Sequence, residues 1–406
     1  MIHGGGFTGG TGAGYDGASF ARDGVVLVTI NYRLGRLGFF AHPALAATNP
    51  YGALSDYGFT DQIAALRWVR ANIAAFGGDA ANITLFGESA GAVSVNNLLI
   101  SPLGRNLFAK AISESSFARV PAMPLAKAQA LGTRFIAARG VTGEDAAAAT
   151  AMRALPASAL TAPAAGGLTD PDRPSPIIDG VVVSETVPAA FARGDQAPVP
   201  LIVGGNSFEA NLFPQLRDHP NAVVGPPGPA REKAVALFGA GDPARAAANI
   251  VTLSFVIEPD RFLAREDARA GTPAFVYYFS YVPAAVRDST LGAGHGDEVA
   301  YVFGALRKVA VERDADDSRL GPKRLPPATP EDEAISRAMH AYWVAFAKTG
   351  DPDSAGGPLW PATSEASDVL MEFGPNGPCP RRDFEKAKLD LFEARAQAAQ
   401  GVTIAP

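Results

Sequence analysis

Hydrophobic positions along this chain follow two patterns, short unbroken apolar runs and longer stretches with helical spacing. The runs at 25–30, 83–86, 201–203 and 275–281 are rich in β-branched, Leu and aromatic residues, which is typical of buried strands. Apolar residues three or four positions apart predict a helix from Asp61 that ends at Gly77 and Gly78; they are Ile63, Leu66, Val69, Ile73 and Phe76. Further helices are predicted over 92–99 and 331–348 and from residue 389 onward.

This alternation of strands and helices predicts an α/β protein with a mostly parallel central sheet covered by helices. The stretch from 121 to 200 differs, because it is rich in Ala, Pro and Gly and lacks the period-two alternation of strands. We interpret it as a cap-like insertion of helices and loops laid over the sheet, within a single domain that spans residues 1–406.

Composition narrows the class of protein. Of the 406 residues, 47% are hydrophobic and 19% are charged, which favours a globular chain with a large core. The net charge of −6, without a long basic run, argues against nucleic acid or an anionic membrane surface as a partner and favours a small neutral substrate. Neither a membrane span nor a signal peptide is visible, and the single cysteine, Cys379, is interpreted as a structural or incidental thiol.

Residues 87–91, with the sequence GESAG, have the form G-x-S-x-G between a predicted strand and a predicted helix. A serine on such a turn has a strained backbone and needs small neighbours, because the helix approaches the strand closely. The turn directs Ser89 Oγ outward and places the Ala90 amide at a helix N-terminus, where it can donate to an oxyanion. The pattern predicts a nucleophilic serine, with an ordinary glycine-rich turn as the alternative.

A second glycine motif, His3-Gly4-Gly5-Gly6, supplies further donors for an oxyanion hole, because consecutive glycines let backbone N–H groups converge on a substrate oxygen.

A third glycine motif, residues 12–17, matches the dinucleotide pattern G-x-G-x-x-G. That fingerprint must leave a strand and open a helix, whereas here other glycines precede it and a strand is predicted after it. We therefore do not interpret residues 12–17 as a nucleotide site.

A serine hydroxyl needs a base, and the chain offers five histidines: His3, His42, His219, His295 and His340. His295 is the preferred candidate, because it lies in a glycine-rich loop after the strand at 275–281, where an α/β sheet presents its chemistry. The other four are interpreted as structural or solvated.

The third member of a catalytic triad must orient the imidazole, and its carboxylate is expected between the serine and the histidine in sequence. Glu209 is the candidate, because it follows the strand at 201–203. Asp218, Asp297 and Glu298 are the alternatives.

These residues together resemble the type-B carboxylesterase family, which includes bacterial para-nitrobenzyl esterases and the cholinesterases. Beyond HGGGF and GESAGA, the resemblance extends from Met1 to about residue 353 and is carried by NYRLGRLGFF, DQIAALRWVRANIAAFGGDAANITLFGESAG, GGNSFEANLF, GHGDEVAYVFG and AYWVAFAKTGDPD.

The resemblance implies an α/β-hydrolase fold and a site without a metal or an organic cofactor. It implies Ser89 as the nucleophile, Glu209 as the triad acid and His295 as the base. The amides of Gly5, Gly6 and Ala90 would form the oxyanion hole. Ser115 stands where relatives carry a second serine near the triad, although its segment departs from their usual QSG.

Family members carry a longer segment ahead of the oxyanion loop, including a strand of which this chain would retain only Met1 and Ile2. We therefore expect Met1 to be an internal methionine of a longer natural chain, so the lack of a signal peptide leaves the localisation open.

The resulting expectation is an enzyme, slightly favoured as a monomer, that hydrolyses small to medium neutral carboxylic esters through an acyl-enzyme on a Ser-His-Glu triad. The alternatives are a non-catalytic adhesion or binding relative, an inactive truncated fragment, and, among enzymes, a lipase or an amidase.

Overall fold

The computed structural model describes residues 1–161, 170, 172–306, 327–353, 356–364 and 366–401. The strands in chain order are β1 Thr84–Glu88, β2 Lys110–Glu114, β3 Met123–Pro124, β4 Ile177–Ile178, β5 Leu201–Asn206, β6 Ala274–Phe279, β7 Val369–Gly374 and β8 Gly377–Arg382.

The helices are α1 Ala18–Arg22, α2 Gly35–Gly38, α3 Pro43–Thr48, α4 Tyr57–Asn72, α5 Ala90–Ile100, α6 Leu125–Ala137, α7 Ala146–Arg153, α8 Val187–Arg193, α9 Gln215–Asp218, α10 Asn221–Val224, α11 Pro229–Gly239, α12 Pro243–Thr252, α13 Glu258–Arg269, α14 Val299–Val302, α15 Pro330–Thr349 and α16 Lys386–Gly401.

These elements group into two compact units, each assembled from separate stretches of the chain. The first unit contains residues 1–12, 28–109 and 120–197, and the second contains residues 13–27, 110–119 and 198–406. The predicted cap-like stretch falls in the first unit, where it forms α6, α7 and α8 together with the parallel pair of β3 and β4. The prediction of one domain with a cap at 121–200 stays a prediction.

The second unit is built on a mostly parallel sheet with the strand order β2, β5, β6, β7, β8. Neighbouring strands from β2 to β7 are parallel, and β8 is antiparallel to β7. Every residue of β2 and β5 is buried, which explains the unbroken apolar run at 201–203 in β5. By contrast β8 is largely exposed and carries two prolines, as suits an edge strand. Cys379 lies on this strand as an exposed free thiol.

An aromatic core packs α15 against this sheet. The indole of Trp343, fully buried on α15, lies 5.4 Å from the ring of Tyr277 on β6 and 5.9 Å from that of Phe373 on β7 (centroid distances). Because these buried rings pack against one face of the sheet, they help to hold its strands, and the loops that follow the strands, in fixed positions.

Helix α4 follows its predicted hydrophobic pattern, with one exception. Ile63, Leu66 and Val69 are buried on α4, and Ile73 is buried in the 3₁₀ turn that follows it and ends at the left-handed Gly77. Phe76, the last apolar residue of the pattern, is 62% exposed, because the tighter 3₁₀ turn rotates it off the buried face.

One strand prediction is wrong. Residues 25–30 are partly or largely exposed, and the ladder there is reduced to a single bridge between Ile30 and Ile2. Met1 and Ile2 run beside part of this segment: the Met1 terminal nitrogen donates to Val28 O at 2.7 Å and Ile30 N donates to Met1 O at 3.3 Å. A β-branched run forms a strand only where a neighbouring chain supplies hydrogen bonds along its length.

Ile2 also anchors β1, since its N–H donates to Phe86 O at 2.8 Å. Helix α5 then passes so close that a Cβ on Gly91 would lie only 2.1 Å from the carbonyl oxygen of Ile2. Ten of the eleven residues of α5 are buried, so the surrounding packing prevents the helix from moving away from Ile2.

We predict that Gly91→Ala lowers the free energy of unfolding by about 1–3 kcal/mol or more, because the added methyl group must displace backbone. This reverses the gain of up to about 1 kcal/mol that alanine ordinarily gives over glycine within a helix. Urea denaturation measures the change. Gly9→Ala is the matched control, since its Cβ would meet nothing within 4 Å. Equal stabilities of the two variants would contradict the close approach of Gly91 to Ile2.

Candidate active site

Ser89 occupies a strained turn between β1 and α5. Its backbone has φ 56° and ψ −122°, a left-handed value of φ that costs a non-glycine residue about 1–3 kcal/mol. A Cβ on Gly87 would lie 2.4 Å from the carbonyl group of Gly91, so both flanking glycines are required by space. The turn therefore has the geometry that the G-x-S-x-G pattern predicts, with the Ala90 amide at the start of an 11-residue helix.

The glycine loop at 4–6 lies directly against this turn, because a Cβ on Gly4 would be 3.1 Å from Ser89 Cβ. The carbonyl oxygens of Gly4 and Gly5 in this loop are held by hydrogen bonds. Gly4 O is 2.8 Å from His3 Nδ1, and Gly5 O accepts from the N–H groups of Thr8 and Gly9, each at 3.1 Å. In a trans peptide the N–H points opposite to the C=O, so the amides of Gly5 and Gly6 face away from these anchors.

His3 is the internal support of this loop. Its ring stacks on Tyr32 with a centroid distance of 4.5 Å, and the Tyr32 hydroxyl donates to His3 O at 2.9 Å. Burial lowers the pKa of the His3 imidazole from its ordinary value, with a smaller opposing effect from Gly4 O. The neutral ring therefore donates from Nδ1 to Gly4 O, which fixes the Gly4–Gly5 peptide.

In the second unit, Glu209 and His295 form a buried pair. His295 Nδ1 is 2.6 Å from Glu209 Oε2, and the two residues are 6% and 0% exposed. Glu209 Oε1 accepts from Ser115 Oγ at 2.6 Å and from Asn206 N at 2.7 Å. Because all three partners can donate to it, the carboxylate holds the imidazole with its proton on Nδ1, and the chemistry of the ring falls to Nε2.

Two asparagines join the loops that carry this pair. Asn211 Oδ1 accepts from the backbone N–H of His295 at 2.9 Å. The side-chain amide of Asn206 donates to Gly294 O at 2.7 Å and to the carboxylate of Glu298. The residues on each side of His295 are thus tied to the end of β5, so the position of the imidazole does not depend on its glycine-rich loop alone.

Backbone strain also brings Ser115 to Glu209. Ser115 and Phe117, just past the end of β2, have φ values of 56° and 50°, and the Phe117 ring lies 5.6 Å from the His295 ring (centroid distance). A Cβ on Gly205 would lie 2.8 Å from Glu209 Oε1, so glycine is needed there. Ser115, which the resemblance places near the triad, is in direct contact with Glu209, the expected triad acid.

A second buried carboxyl group lies in the same region without competing for the histidine. Asp260, fully buried, accepts from Ser116 Oγ at 3.0 Å. Burial raises the pKa of the Asp260 carboxyl well above its ordinary value, and the negative charges of Glu209 and Glu258 raise it further. The raised pKa favours the protonated form of Asp260, which limits the negative charge in the interior beside Glu209.

The alternative acids lie elsewhere. Asp218 is exposed at the end of α9, Asp297 accepts from Gly294 N at 2.7 Å, and Glu298 accepts from the side chain of Asn206. Of the four carboxylates considered from the sequence, Glu209 is the one in contact with His295 Nδ1.

The remaining histidines have structural surroundings. His42 caps α3 by accepting from Ala44 N at 3.2 Å, and His340 on α15 lies 2.6 Å from Val302 O and 3.0 Å from Asp23 Oδ2. His219 is exposed at the end of α9.

The predicted site residues are thus organised as two groups. The first unit brings Ser89, Gly5, Gly6 and Ala90 together, and the second brings Glu209 and His295 together with Ser115. Sequence reasoning missed Asn206 and Asn211, although both stand beside the predicted acid in GGNSFEANLF, where a polar residue at a strand end is a usable signal.

Over the described part of the chain, no group of three or more His, Cys, Asp or Glu side chains is arranged to hold a metal ion. None of the helices within those residues combines the length and the apolarity needed to cross a membrane.

Comparison with known proteins identifies the class. The model of the carboxylesterase family matches residues 1–224 and 240–392, so the chain belongs to this family of ester-hydrolysing enzymes. The fold is similar to that of carboxylesterase EST55 of Geobacillus stearothermophilus, with a TM-score of 0.76, 32% identity and coverage of 96% of this chain and 81% of that one. The α/β-hydrolase prediction is confirmed.

Two further relatives give the same family. A solved PNB esterase has a TM-score of 0.74 at 27% identity and covers 96% of this chain and 81% of its own. Fumonisin B1 esterase of Sphingopyxis macrogoltabida is 35% identical over 390 residues, which are 92% of this chain and 68% of that protein. The chain thus spans about two thirds of the length of this curated relative, and its resemblance to the type-B carboxylesterases is confirmed.

The lowered pKa of His3 predicts a pH-dependent contribution to stability. Protonation is harder in the folded chain than in the unfolded one, so this contribution is complete above about pH 6.5 and is lost as the pH falls. In His3→Asn, Nδ2 replaces Nδ1 as donor but does not titrate. We expect the stability advantage of the wild type over this variant, measured by urea unfolding, to be smaller at pH 5.5 than at pH 7.5.

Tyr32→Phe is the control for this prediction, because it removes the hydrogen bond to His3 O but keeps the imidazole. Its stability difference from the wild type should be equal at the two pH values. A wild-type advantage over His3→Asn that grows on acidification would contradict a buried neutral His3.

Proposed function

We propose that this chain hydrolyses small to medium-sized carboxylic esters with Ser89 as nucleophile, His295 as general base and Glu209 as the acid that orients the base. The amides of Gly5, Gly6 and Ala90 stabilise the oxyanion, and Ser115 positions Glu209. No metal or organic cofactor takes part in this mechanism.

The reaction proceeds by two displacements. Ser89 Oγ bonds to the ester carbonyl carbon while its proton passes to His295 Nε2. The bond to the alcohol oxygen then breaks, and the alcohol leaves with that proton. Water, deprotonated by the same nitrogen, then attacks the acyl carbon. The bond from that carbon to Ser89 Oγ breaks, the acid leaves, and Oγ takes the proton back from Nε2. In each step the negative charge on the carbonyl oxygen is stabilised by the amides, each commonly worth about 2.7–4 kcal/mol.

The observation that carries this proposal is the buried contact of 2.6 Å between His295 Nδ1 and Glu209 Oε2. A histidine fixed in this tautomer presents Nε2 as a base, which is the atom that a serine nucleophile requires. The strained turn at Ser89 and the anchored glycine loop beside it support the roles given to the first group. A non-catalytic relative would have no need to retain the strain at both Ser89 and Ser115.

We expect Ser89→Ala to lower kcat/KM for p-nitrophenyl butyrate by roughly 10⁴-fold or more with the fold retained, because the acyl-enzyme no longer forms. For the wild type, kcat/KM should fall as the pH drops below about 6.5, since a protonated imidazole is no base. Steady-state release of p-nitrophenolate between pH 5 and 8.5, corrected for its own ionisation, measures both effects.

Ser289→Ala is the control for Ser89→Ala, because it removes an exposed hydroxyl that donates to a local carbonyl group, Val286 O. It should retain the wild-type rate. Equal rates in Ser89→Ala and the wild type would mean that another group attacks the ester, and a flat pH profile would exclude histidine as the base.

A further inference from the structure

An arginine of the cap-like stretch contacts the glycine loop. Arg173 Nη1 donates to Gly6 O at 2.5 Å, across 167 residues of sequence and within the first unit. Gly6 is a proposed oxyanion donor, so this guanidinium lies beside the place where the ester carbonyl group would bind. The catalytic mechanism proposed above assigns no role to Arg173.

The charge of Arg173 is not neutralised by a nearby ion pair. Asp172, its neighbour, pairs instead with Arg134. The negative charge of Asp170 also acts on Arg173, and no ion pair of Arg173 within 4 Å is found among the described residues. Burial lowers the pKa of Arg173 by more than Asp170 raises it, so the half-buried cation is incompletely compensated.

The donors of Arg173 that face away from the loop suit a carboxylate. With Nη1 engaged by Gly6 O, the Nε–Nη2 edge has no hydrogen-bond partner among the described residues. This edge presents two parallel N–H groups that match the two oxygens of a carboxylate, a geometry that lysine cannot reproduce.

The distance fits an acid group on the acyl side of the ester. Nη1 lies 2.5 Å from Gly6 O. It therefore stands no more than about 9 Å from an oxyanion held by the Gly6 amide. A carboxylate separated from the ester carbonyl by two or three methylene groups can reach across a gap of up to this size when a hydrogen bond of about 2.8 Å is included.

We propose that Arg173 is a specificity-determining residue that binds a carboxylate on the acyl group, so that half-esters of four- or five-carbon dicarboxylic acids are the preferred substrates. This inference rests on the proposed function, because it places the acyl group between Ser89 and the glycine loop. It replaces the neutral substrate expected from the net charge of −6, which is a property of the whole chain and does not describe the charge beside Gly6.

The test compares two esters of the same alcohol and similar acyl length, p-nitrophenyl hydrogen glutarate and p-nitrophenyl valerate. The wild type should favour the glutarate in kcat/KM. Arg173→Met, which keeps the length of the stem without the charge, should lower kcat/KM for the glutarate by about 10- to 100-fold and leave that for the valerate within about threefold. Arg173→Lys should recover only part of the loss, because it lacks the planar fork.

Arg193→Met is the matched control, since it removes one exposed positive charge of the same unit and should leave the preference unchanged. Equal losses with both esters in Arg173→Met would assign the residue to the support of Gly6 alone and overturn the proposal. A wild-type preference for the valerate would also overturn it. The hydrolysis of the valerate by Ser89→Ala distinguishes a failure of this proposal from a failure of the proposed function. If only the role of Arg173 is wrong, Ser89→Ala loses activity on the valerate. If the proposed function is wrong, Ser89→Ala is as active as the wild type.

Discussion

The hydrogen bond between Glu209 and His295 is the constraint around which the second unit is arranged. A carboxylate that is 0% exposed is tolerated only if its oxygens are well bonded, and here Ser115, Asn206 and His295 supply the donors. Each donor comes from a different part of the chain, the end of β2, the end of β5 and the loop after β6. The parallel sheet is what brings these three strand ends to one edge.

Backbone strain occurs at one serine in each unit. Ser89 follows β1 and Ser115 follows β2, and each is a non-glycine residue with a left-handed φ. Such a conformation persists only where the surrounding packing over-determines it. Ser89 lies between the buried β1 and α5, and Ser115, itself 0% exposed, follows the buried β2. The strain orients these side chains, because each serine stands at the carboxyl end of its own strand.

Much of this organisation follows from local patterns in the sequence. The runs at 201–203 and 275–281 predict β5 and β6 because strands buried on both faces must be apolar throughout. The order of the motifs along the chain is glycine loop, serine, glutamate and histidine. The structure brings the glycine loop and the serine together in the first unit, and the glutamate and the histidine together in the second. The run at 25–30 misleads, because a strand also depends on a partner chain, which a local pattern does not contain. Asn211 and Arg173 act across 84 and 167 residues, and their contacts have no periodic signature.

The proposed acylation of Ser89 with the help of His295 is tested most directly by reacting the chain with diethyl p-nitrophenyl phosphate, which phosphorylates activated serines, and locating the adduct by peptide mass spectrometry. We expect one diethylphosphoryl group per chain, on the peptide that contains Ser89, and its near absence in His295→Ala. An adduct on another residue, or equal labelling of Ser89 without the imidazole, would contradict it.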